Sequence, residues 1–471
     1  MVLLAVIALS SWALTSPVGS SPDDDFHLAS IWCSATAPDA GCVRHGDSVS
    51  VPAWTVAAPG CFAFHPDTPA SCQDEAALAG TATTSAARAN LTGSYPPGFY
   101  LALGLLVGPD VPASVYAMRI ADAALLVLLF AVALALAPPA VRQAGLLGLL
   151  VVGGPLGWFL FASTNPSAWA VGGSGALVIS VLGYLLHDDD RRATRMLIPA
   201  AIAVLLCVSS RADAAGYAAI IVVAAAIAAL LRPGTPRRRR RVLLAAAAAV
   251  LVALAVALAM VGQASTGVGG AGGTVAPLGV DVRNVINLPY LLLGSIGFWG
   301  LGWLDTRMPI GLPIAAALAL GGIVMLGLGR VPRWMLPGIA IAVAALVVLP
   351  LRVLHARGLS IGEFVQPRYM LPLLLAVVMM ILAPPTATSM LRLTRTQLGA
   401  VSVVVLAVFS VGLVVNAQRY ATGLHAAKFD ISAAAEWWST DRVSPNQTVG
   451  LGILAGAGFL ALAWRYLRPS D

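Results

Sequence analysis

Apolar residues dominate this chain in long blocks, with short polar breaks between them. The run Leu243 to Met260 holds 18 positions without a charge. Such a run shows no two-residue alternation, so it predicts a helix and not a barrel strand, which would alternate over about ten residues. A helix needs about 20 residues to cross a bilayer. On this pattern spans are expected near 1–19, 111–137, 143–163, 168–186, 196–210, 214–231, 242–262, 310–329, 335–353, 370–386, 398–416 and 449–466. Two further apolar stretches, 96–108 and 287–303, contain proline, glycine and aromatics, and read as half-helices or interfacial helices on the outer side. The expected fold is an all-α polytopic membrane protein of about 12 transmembrane helices. It would form one transmembrane domain over 1–471, with a large first extracytoplasmic loop at 20–95.

Composition agrees. The 471 residues are 59% hydrophobic and 10% charged, with mean hydropathy +0.86. A soluble domain carries about 25% charged residues, so this chain cannot clothe a surface that faces water all round. Membrane lipids are its solvent, and backbone in lipid must bond to itself. The formal charge of +7 does not imply a nucleic-acid partner, because of where the arginines stand. Arg142, Arg191, Arg192, Arg195, Arg232, Arg237 to Arg241, Arg330, Arg333, Arg392, Arg395, Arg465 and Arg468 crowd into short breaks that fall on one side when the spans are counted. Short basic loops mark the cytoplasmic side, so both termini are expected there. Most acids fall on the other side, which hints that chemistry happens outside. Residues 1–19 lack a basic start and a clear cleavage site, so the first span is expected to be retained. The run Arg237 to Arg241 reads as an anchor at anionic headgroups. Gly267 to Gly273 is glycine-rich and reads as a flexible segment.

Four of the five cysteines, Cys33, Cys42, Cys61 and Cys72, lie in the first outer loop. They allow three connectivities. Pairing Cys33 with Cys42 and Cys61 with Cys72 closes two short loops and is the expected one, in an oxidising exterior. Zinc is the rival, without the usual CxxC spacing. Cys207 lies inside a span and reads as a small packing residue.

The stretch Ser21-Pro22-Asp23-Asp24-Asp25-Phe26-His27 carries the most chemistry. Ser21 as a cap, Pro22 in the first position and acids in the first turn make a helix start. On that helix Asp23 and His27 are four apart and Asp24 and His27 three apart, so they would share a face. A carboxylate there, partly desolvated at the membrane surface, suits a general base toward an acceptor hydroxyl. Three adjacent acids repel, which implies a cation or basic partner; a divalent cation is compatible with the motif, and its ligands are unknown.

Pro22-Asp23-Asp24-x-x-His27 resembles the Pro-Asp-Glu-x-x-His signature of a bacterial membrane family, domain of unknown function family 2142. Gly294 to Pro309, GSIGFWGLGWLDTRMP, resembles that family's Gly-Trp-Leu-Asp segment. Gln366-Pro367-Arg368-Tyr369-Met370-Leu371-Pro372 resembles its Gln-Gly-Arg-Tyr-x-x-Pro segment. Tyr95-Pro96-Pro97 and Asn165-Pro166-Ser167 also fit. Asp24 stands where the family has Glu, and Pro367 where it has Gly. The family is similar in layout to the GT-C glycosyltransferases, which carry a catalytic acid in the first extracytoplasmic loop and take sugar from a polyprenyl-phosphate donor. The resemblance implies a GT-C-like enzyme of the bacterial inner (plasma) membrane, with a cell-envelope glycan or lipid as acceptor. It implies Asp23 or Asp24 as base, assisted by His27. Arg368 would hold the donor phosphate, with Gln366 and Tyr369 beside it, and Asp305 would contact the sugar or tune the site.

Other charges lie near the membrane. Arg119 and Asp122 are three apart in one span, and Arg211 and Asp213 sit at a turn between two. Charges at such depth are costly and often functional, and Arg211 is a candidate substrate-binding residue. Both sets also suit internal ion pairs. Glu363 and His355 flank the Gln366 to Tyr369 stretch and are candidates to line the same cavity. Trp437 and Trp438 read as an interfacial belt. Two other functions remain open from sequence. One is a transporter or flippase of lipid-linked sugars, which would need charges at mid-span. The other is a non-catalytic scaffold in envelope assembly.

Overall fold

The computed structural model describes residues 1–35, 41–79, 82–263, 276–426, 429–438 and 443–468, the side chains of 253–263 excepted. The glycine-rich stretch Gly267 to Gly273 lies outside them. Nine helices among the described residues are long and apolar enough to cross a membrane. They are Val111–Leu136, Pro139–Phe161, Ser167–Leu186, Asp190–Ser210, Ala212–Leu231, Gly311–Leu328, Leu336–Arg357, Arg395–Ala421 and Pro445–Leu467. The expected twelve are thus matched at nine. The other three fall on the helices Val2–Leu14 and Pro367–Ile381, with 13 and 15 residues, and on Arg237–Gln263, where the expected span 242–262 runs into residues 253–263, whose side chains lie outside the described ones. At 1.5 Å per residue the first two are shorter than the hydrocarbon core.

The arginine-bearing breaks gather at one end of the bundle. Gln143 donates to the carbonyls of Leu391 and Leu467, Arg330 to that of Met390, and Arg239 pairs with Asp190 at 2.8 Å. Arg142 stacks over Tyr466. The opposite end carries the segment between Val2–Leu14 and Val111–Leu136. An antiparallel three-stranded sheet stands in that segment, with Ser48–Pro52 between Val43–His45 and Thr83–Ala86. The all-α expectation missed it. Its cause is local: Ser48-Val49-Ser50-Val51 alternates with period two, and Gly46, at positive φ, opens the turn. Val49 and Val51 pack with Ala29, Ala86 and Ala89 in a small second core. That core fixes the helix Asp24–Ser34 against the sheet.

Disulfides Cys33–Cys42 and Cys61–Cys72 are both formed, with Cα separations of 5.1 and 6.0 Å. Loops this short are each worth about 2.5–3 kcal/mol in the chain-entropy view. Cys207 is free and buried.

Ser167–Leu186 is the central helix, buried along its whole length. Glycines make that possible. A Cβ on Gly173 would stand 2.7 Å from Cys207 Sγ, and one on Gly175 2.8 Å from Leu375. Small residues let membrane helices approach where no hydrophobic force drives them together. The neighbouring helix Pro139–Phe161, expected as the span at 143–163, is broken at Gly154 (φ 52°, ψ −178°) before Pro155. Proline removes a helical donor and clashes with the preceding turn. The turn Gly294–Phe298 docks into this break, with Gly297 against Pro155 and Ile296 against Gly154. Before it, Leu278–Leu293 leaves Leu278, Val282, Val285, Ile286 and Tyr290 uncovered along one face.

Candidate functional site

Asp23 has φ 56° and ψ 30°, a left-handed backbone at a residue with a side chain. That conformation costs about 1–2 kcal/mol. Strain of this kind persists only where the surroundings over-determine it, and it clusters at functional sites. The surroundings here are specific. Asn165 Nδ2 donates to the Pro22 carbonyl at 2.8 Å, and the next residue, Asp24, is locked inside the protein. The helix therefore starts later than the sequence suggests. Asp23 is its N-cap residue and Asp24 its first; Ser21 and Pro22 precede it. Ser21 does not cap; its backbone N–H donates to Asp24 Oδ2 at 3.1 Å.

The three acids diverge. Asp23 turns toward Arg368, which donates through Nη2 to its Oδ2, and toward Arg88, which reaches its Oδ1 at 3.2 Å. Its side chain is 31% exposed. Burial alone would raise its pKa; the cations of Arg368 and Arg88 and the neighbouring His27 ring bring it below the ordinary carboxylate value. Asp24 is fully buried. It accepts from Thr164 Oγ1 at 2.5 Å, from Ser21 N, and from Arg119 Nη2 at 3.2 Å. Burial pushes its carboxyl upward, against Arg119, Thr164 and Ser21. Asp25 pairs with Arg88, and its Oδ1 is buried with no partner among the described residues. The repulsion within the motif is thus answered by Arg88, Arg119 and Arg368. Among the described residues no group of three His, Cys, Asp or Glu is placed to hold a metal ion.

His27 lies beneath Asp23. Its Nδ1 is 3.0 Å from the Tyr100 hydroxyl, and its ring meets Phe26 and Tyr95 edge-on. Burial is the largest influence on it, and together with Arg368, Arg211 and Arg88 pushes its pKa down to about 3, against the pull of Asp23. It is a neutral hydrogen-bonding ring in this fold.

Gln366 precedes the helix Pro367–Ile381 as its N-cap, half-buried. Pro367 takes the first position, where its missing N–H costs nothing. That placement accounts for a proline where the related signature has glycine. Arg368 is 4% exposed, and among the described residues it bonds, besides Asp23, the Tyr369 hydroxyl at 3.2 Å. Its Nε and Nη1 are buried without a partner among the described residues, whereas Arg119 and Arg419 each leave only Nε unbonded. Arg211 forms a two-pronged pair with Asp213, both contacts 2.8 Å, and stacks on Tyr369 at 4.1 Å. It also donates to Ser167 Oγ at 3.3 Å. Tyr217 fixes the Tyr369 carbonyl at 2.8 Å. Asp23, His27, Arg368, Tyr369 and Arg211 therefore form one cluster; two of the family-like stretches supply four of the five, and Tyr95 of a third packs against His27.

Asp305 stands apart from that cluster. Its Oδ2 accepts from Arg419 at 2.9 Å and from Phe64 N at 3.1 Å, and its Oδ1 from Thr306. Arg419 is buried and also holds the carbonyls of Phe62 and Thr68. The pair pins the Cys61–Cys72 loop onto the bundle. Nearby, Trp303 donates to the Gly19 carbonyl at 2.8 Å, which ties this region to the start of the acidic motif. Arg119 and Asp122 do not pair either. Arg119 reaches back to Asp24 and the Ser16 carbonyl, and Asp122 accepts from Trp169 Nε1 at 2.9 Å. His355 pairs with Asp281, and Glu363 with Ser360 N, so neither joins the cluster. Trp437 packs against the small cluster of Phe62, Ala70 and Tyr420.

Sequence reading missed Arg88, Tyr100 and Thr164. Arg88 stands in a polar loop with no periodicity to mark it; its place is fixed by Asn90, whose side chain clasps the backbone of Tyr95. An apolar cavity of about 460 Å³ lies toward the arginine-bearing end, lined by residues such as Phe130, Trp158 and Phe409. It contains no acid and is separate from the Asp23 cluster.

Comparison with curated proteins and with solved structures gave no match. A family profile described as "Predicted membrane protein (DUF2142)" matches residues 6–377. That range takes in Asp23, His27, Arg211, Asp305 and Arg368 and covers most of the chain, which therefore belongs to the DUF2142 family of predicted membrane proteins.

Proposed function

We propose that this protein is a membrane glycosyltransferase. It would move a sugar from a polyprenyl-phosphate donor to a cell-envelope glycan or lipid acceptor, on the extracytoplasmic face of a bacterial plasma membrane. The observation that carries this reading is Asp23: a strained, part-exposed carboxylate beside a buried arginine with two unbonded donor nitrogens. The likeness in layout to GT-C enzymes, with an acid just after the first helix, supports it.

In this reading Asp23 takes the proton of the acceptor hydroxyl. The acceptor oxygen forms a bond to the anomeric carbon, and the bond from that carbon to the donor phosphate oxygen breaks. The electron pair leaves with the polyprenyl phosphate. The sugar passes through an oxocarbenium-like state, as in glycoside chemistry. Guanidinium groups match phosphate geometry through paired hydrogen bonds, and Arg368 has unbonded donors to offer. Arg211 adds charge behind Tyr369 and fixes that ring. His27 supports the helix turn from below. Asp24, buried and fully bonded, holds the motif in place. Asp305 acts at a distance by holding the Cys61–Cys72 loop.

Asp23→Asn is the direct test, because asparagine tolerates left-handed backbone and removes only the charge. Transfer from a polyprenyl-phosphate sugar in membranes is expected to fall by about 10²–10⁴-fold, the usual contribution of a general base. Unchanged transfer in this variant removes Asp23 as the base.

A further inference from the structure

Arg88 and Arg368 hold opposite oxygens of one carboxylate. The Asp23 carboxylate thus occupies the position of an anion gripped between two guanidinium groups. A base held on both oxygens accepts a further proton poorly until one of those bonds is given up. We propose that Arg88 is an exchangeable clamp. It holds Asp23 and Asp25 in the empty protein, and moves to the phosphate of a membrane-embedded polyprenyl phosphate when that group arrives against Arg368. The move frees Asp23 as the base, so this inference rests on the function proposed above.

The two arginines differ in the way the exchange requires. Arg368 is 4% exposed and its guanidinium is fixed among Asp23 and Tyr369, whereas the Arg88 side chain is 59% exposed. The backbone around Arg88 is anchored on both sides. Thr83–Ala86 pairs with the central strand, and Asn90 N donates to Ser30 Oγ at 2.9 Å while its side chain clasps Tyr95. Movement is therefore left to the long side chain alone. Arg368 Nε and Nη1, buried and without a partner among the described residues, mark where acceptor oxygens would be accommodated. The donor's phosphodiester brings two non-bridging oxygens, each able to accept more than one hydrogen bond, enough for Arg368 and Arg88 together. Asp25, whose carboxyl burial pushes upward, is the group that Arg88 leaves without a charge partner, and protonation makes that departure tolerable.

The test uses the full chain in nanodiscs, with Arg88→Gln and Arg88→Lys. Binding of a polyprenyl monophosphate is compared with that of the neutral polyprenol and of inorganic phosphate. The wild type should prefer the lipid phosphate. Arg88→Gln should weaken that binding about ten-fold or more, the worth of a hydrogen bond to a charged group, and Arg88→Lys should recover most of it. Transfer kinetics add a readout that loss of structure would not move. Without Arg88, Asp23 loses a cation and its pKa rises, so the acid limb of kcat/KM shifts to higher pH. That limb reports the free enzyme; the limb of kcat should shift less, because in the complex Arg88 has already left. Equal lipid-phosphate binding in wild type and Arg88→Gln, or limbs that stay in place, overturns the clamp. Inorganic phosphate competing as well as the lipid overturns the lipid assignment. A wild type that binds the lipid phosphate but transfers nothing would sink the proposed function and leave the binding arm to judge Arg88.

Discussion

At the scale of single residues, three titratable side chains of one short motif have been given different physical fates. Asp23 is part-exposed and strained, Asp24 is buried and bonded on both oxygens, and His27 is buried and neutral. Asp24→Asn should therefore act on stability first. It leaves the Arg119 charge buried without its partner, and breaking a buried pair from one side costs about 3–5 kcal/mol. Thermal unfolding in detergent measures this; an Asp24→Asn protein as stable as wild type would show that Arg119 has other compensation. His27 makes a pH prediction. Its pKa of about 3 in the fold lies below its ordinary 6.5, so between those values the unfolded chain binds a proton that the folded one refuses. Its contribution to stability is complete above about pH 6.5 and declines as pH falls toward 3, by about 1.4 kcal/mol per unit at most. Compared with His27→Asn, the wild type should lose stability more steeply across that window. Parallel curves would mean that the ring is protonated in the fold.

At the scale of elements, the site is made mostly by short pieces, with the start of the span Ala212–Leu231 adding Arg211. The helix Asp24–Ser34 carries the acids and is held by a three-stranded sheet and the Cys33–Cys42 disulfide. The first turn of Pro367–Ile381 supplies Arg368 and Tyr369. Against it packs the turn Gly294–Phe298, where Ser295 Oγ donates to the Pro367 carbonyl at 3.0 Å. A Cβ on Gly294 would run into Pro367 and come within 2.6 Å of Trp299. Gly294→Ala should thus push the Pro367 turn, and Arg368 with it, out of register with Asp23. Misplacement of about 1 Å can cost as much as 10²-fold in rate. Transfer by this variant, at unchanged expression and disulfide content, is the measurement; wild-type rates would mean the turn relaxes elsewhere.

Across the whole molecule, charge is divided between the two ends. The arginine-bearing breaks meet at one, and the Asp23 cluster, the disulfides and the Asp305–Arg419 pair at the other. The last of these fastens loop to bundle across 114 residues of sequence. A double-mutant cycle with Asp305→Asn and Arg419→Met should show a coupling of at least about 0.5 kcal/mol, as expected for residues in one bonded network. Additive losses would indicate that each acts through its own backbone contacts.

Much of this was legible in the sequence because the cause is local. Lipid selects for apolar runs of a set length, so nine expected spans coincide with long helices, and short loops favour the local disulfide pairing that is observed. The acidic motif was legible as a helix start, although the start is Asp23 and not Ser21, because a left-handed residue cannot be read from residue types. The partners were not legible. Arg368 meets Asp23 over a separation of 345 residues and Arg119 meets Asp24 over 95, while the local alternative of Arg119 with Asp122 is not taken, although Arg211 does pair locally with Asp213. Sequence determined that this chain lives in a membrane and carries acids just beyond its first helix. Only the tertiary structure decided which carboxylate is open and which is locked, because a buried charge pairs with whatever cation the packing of distant helices brings to it.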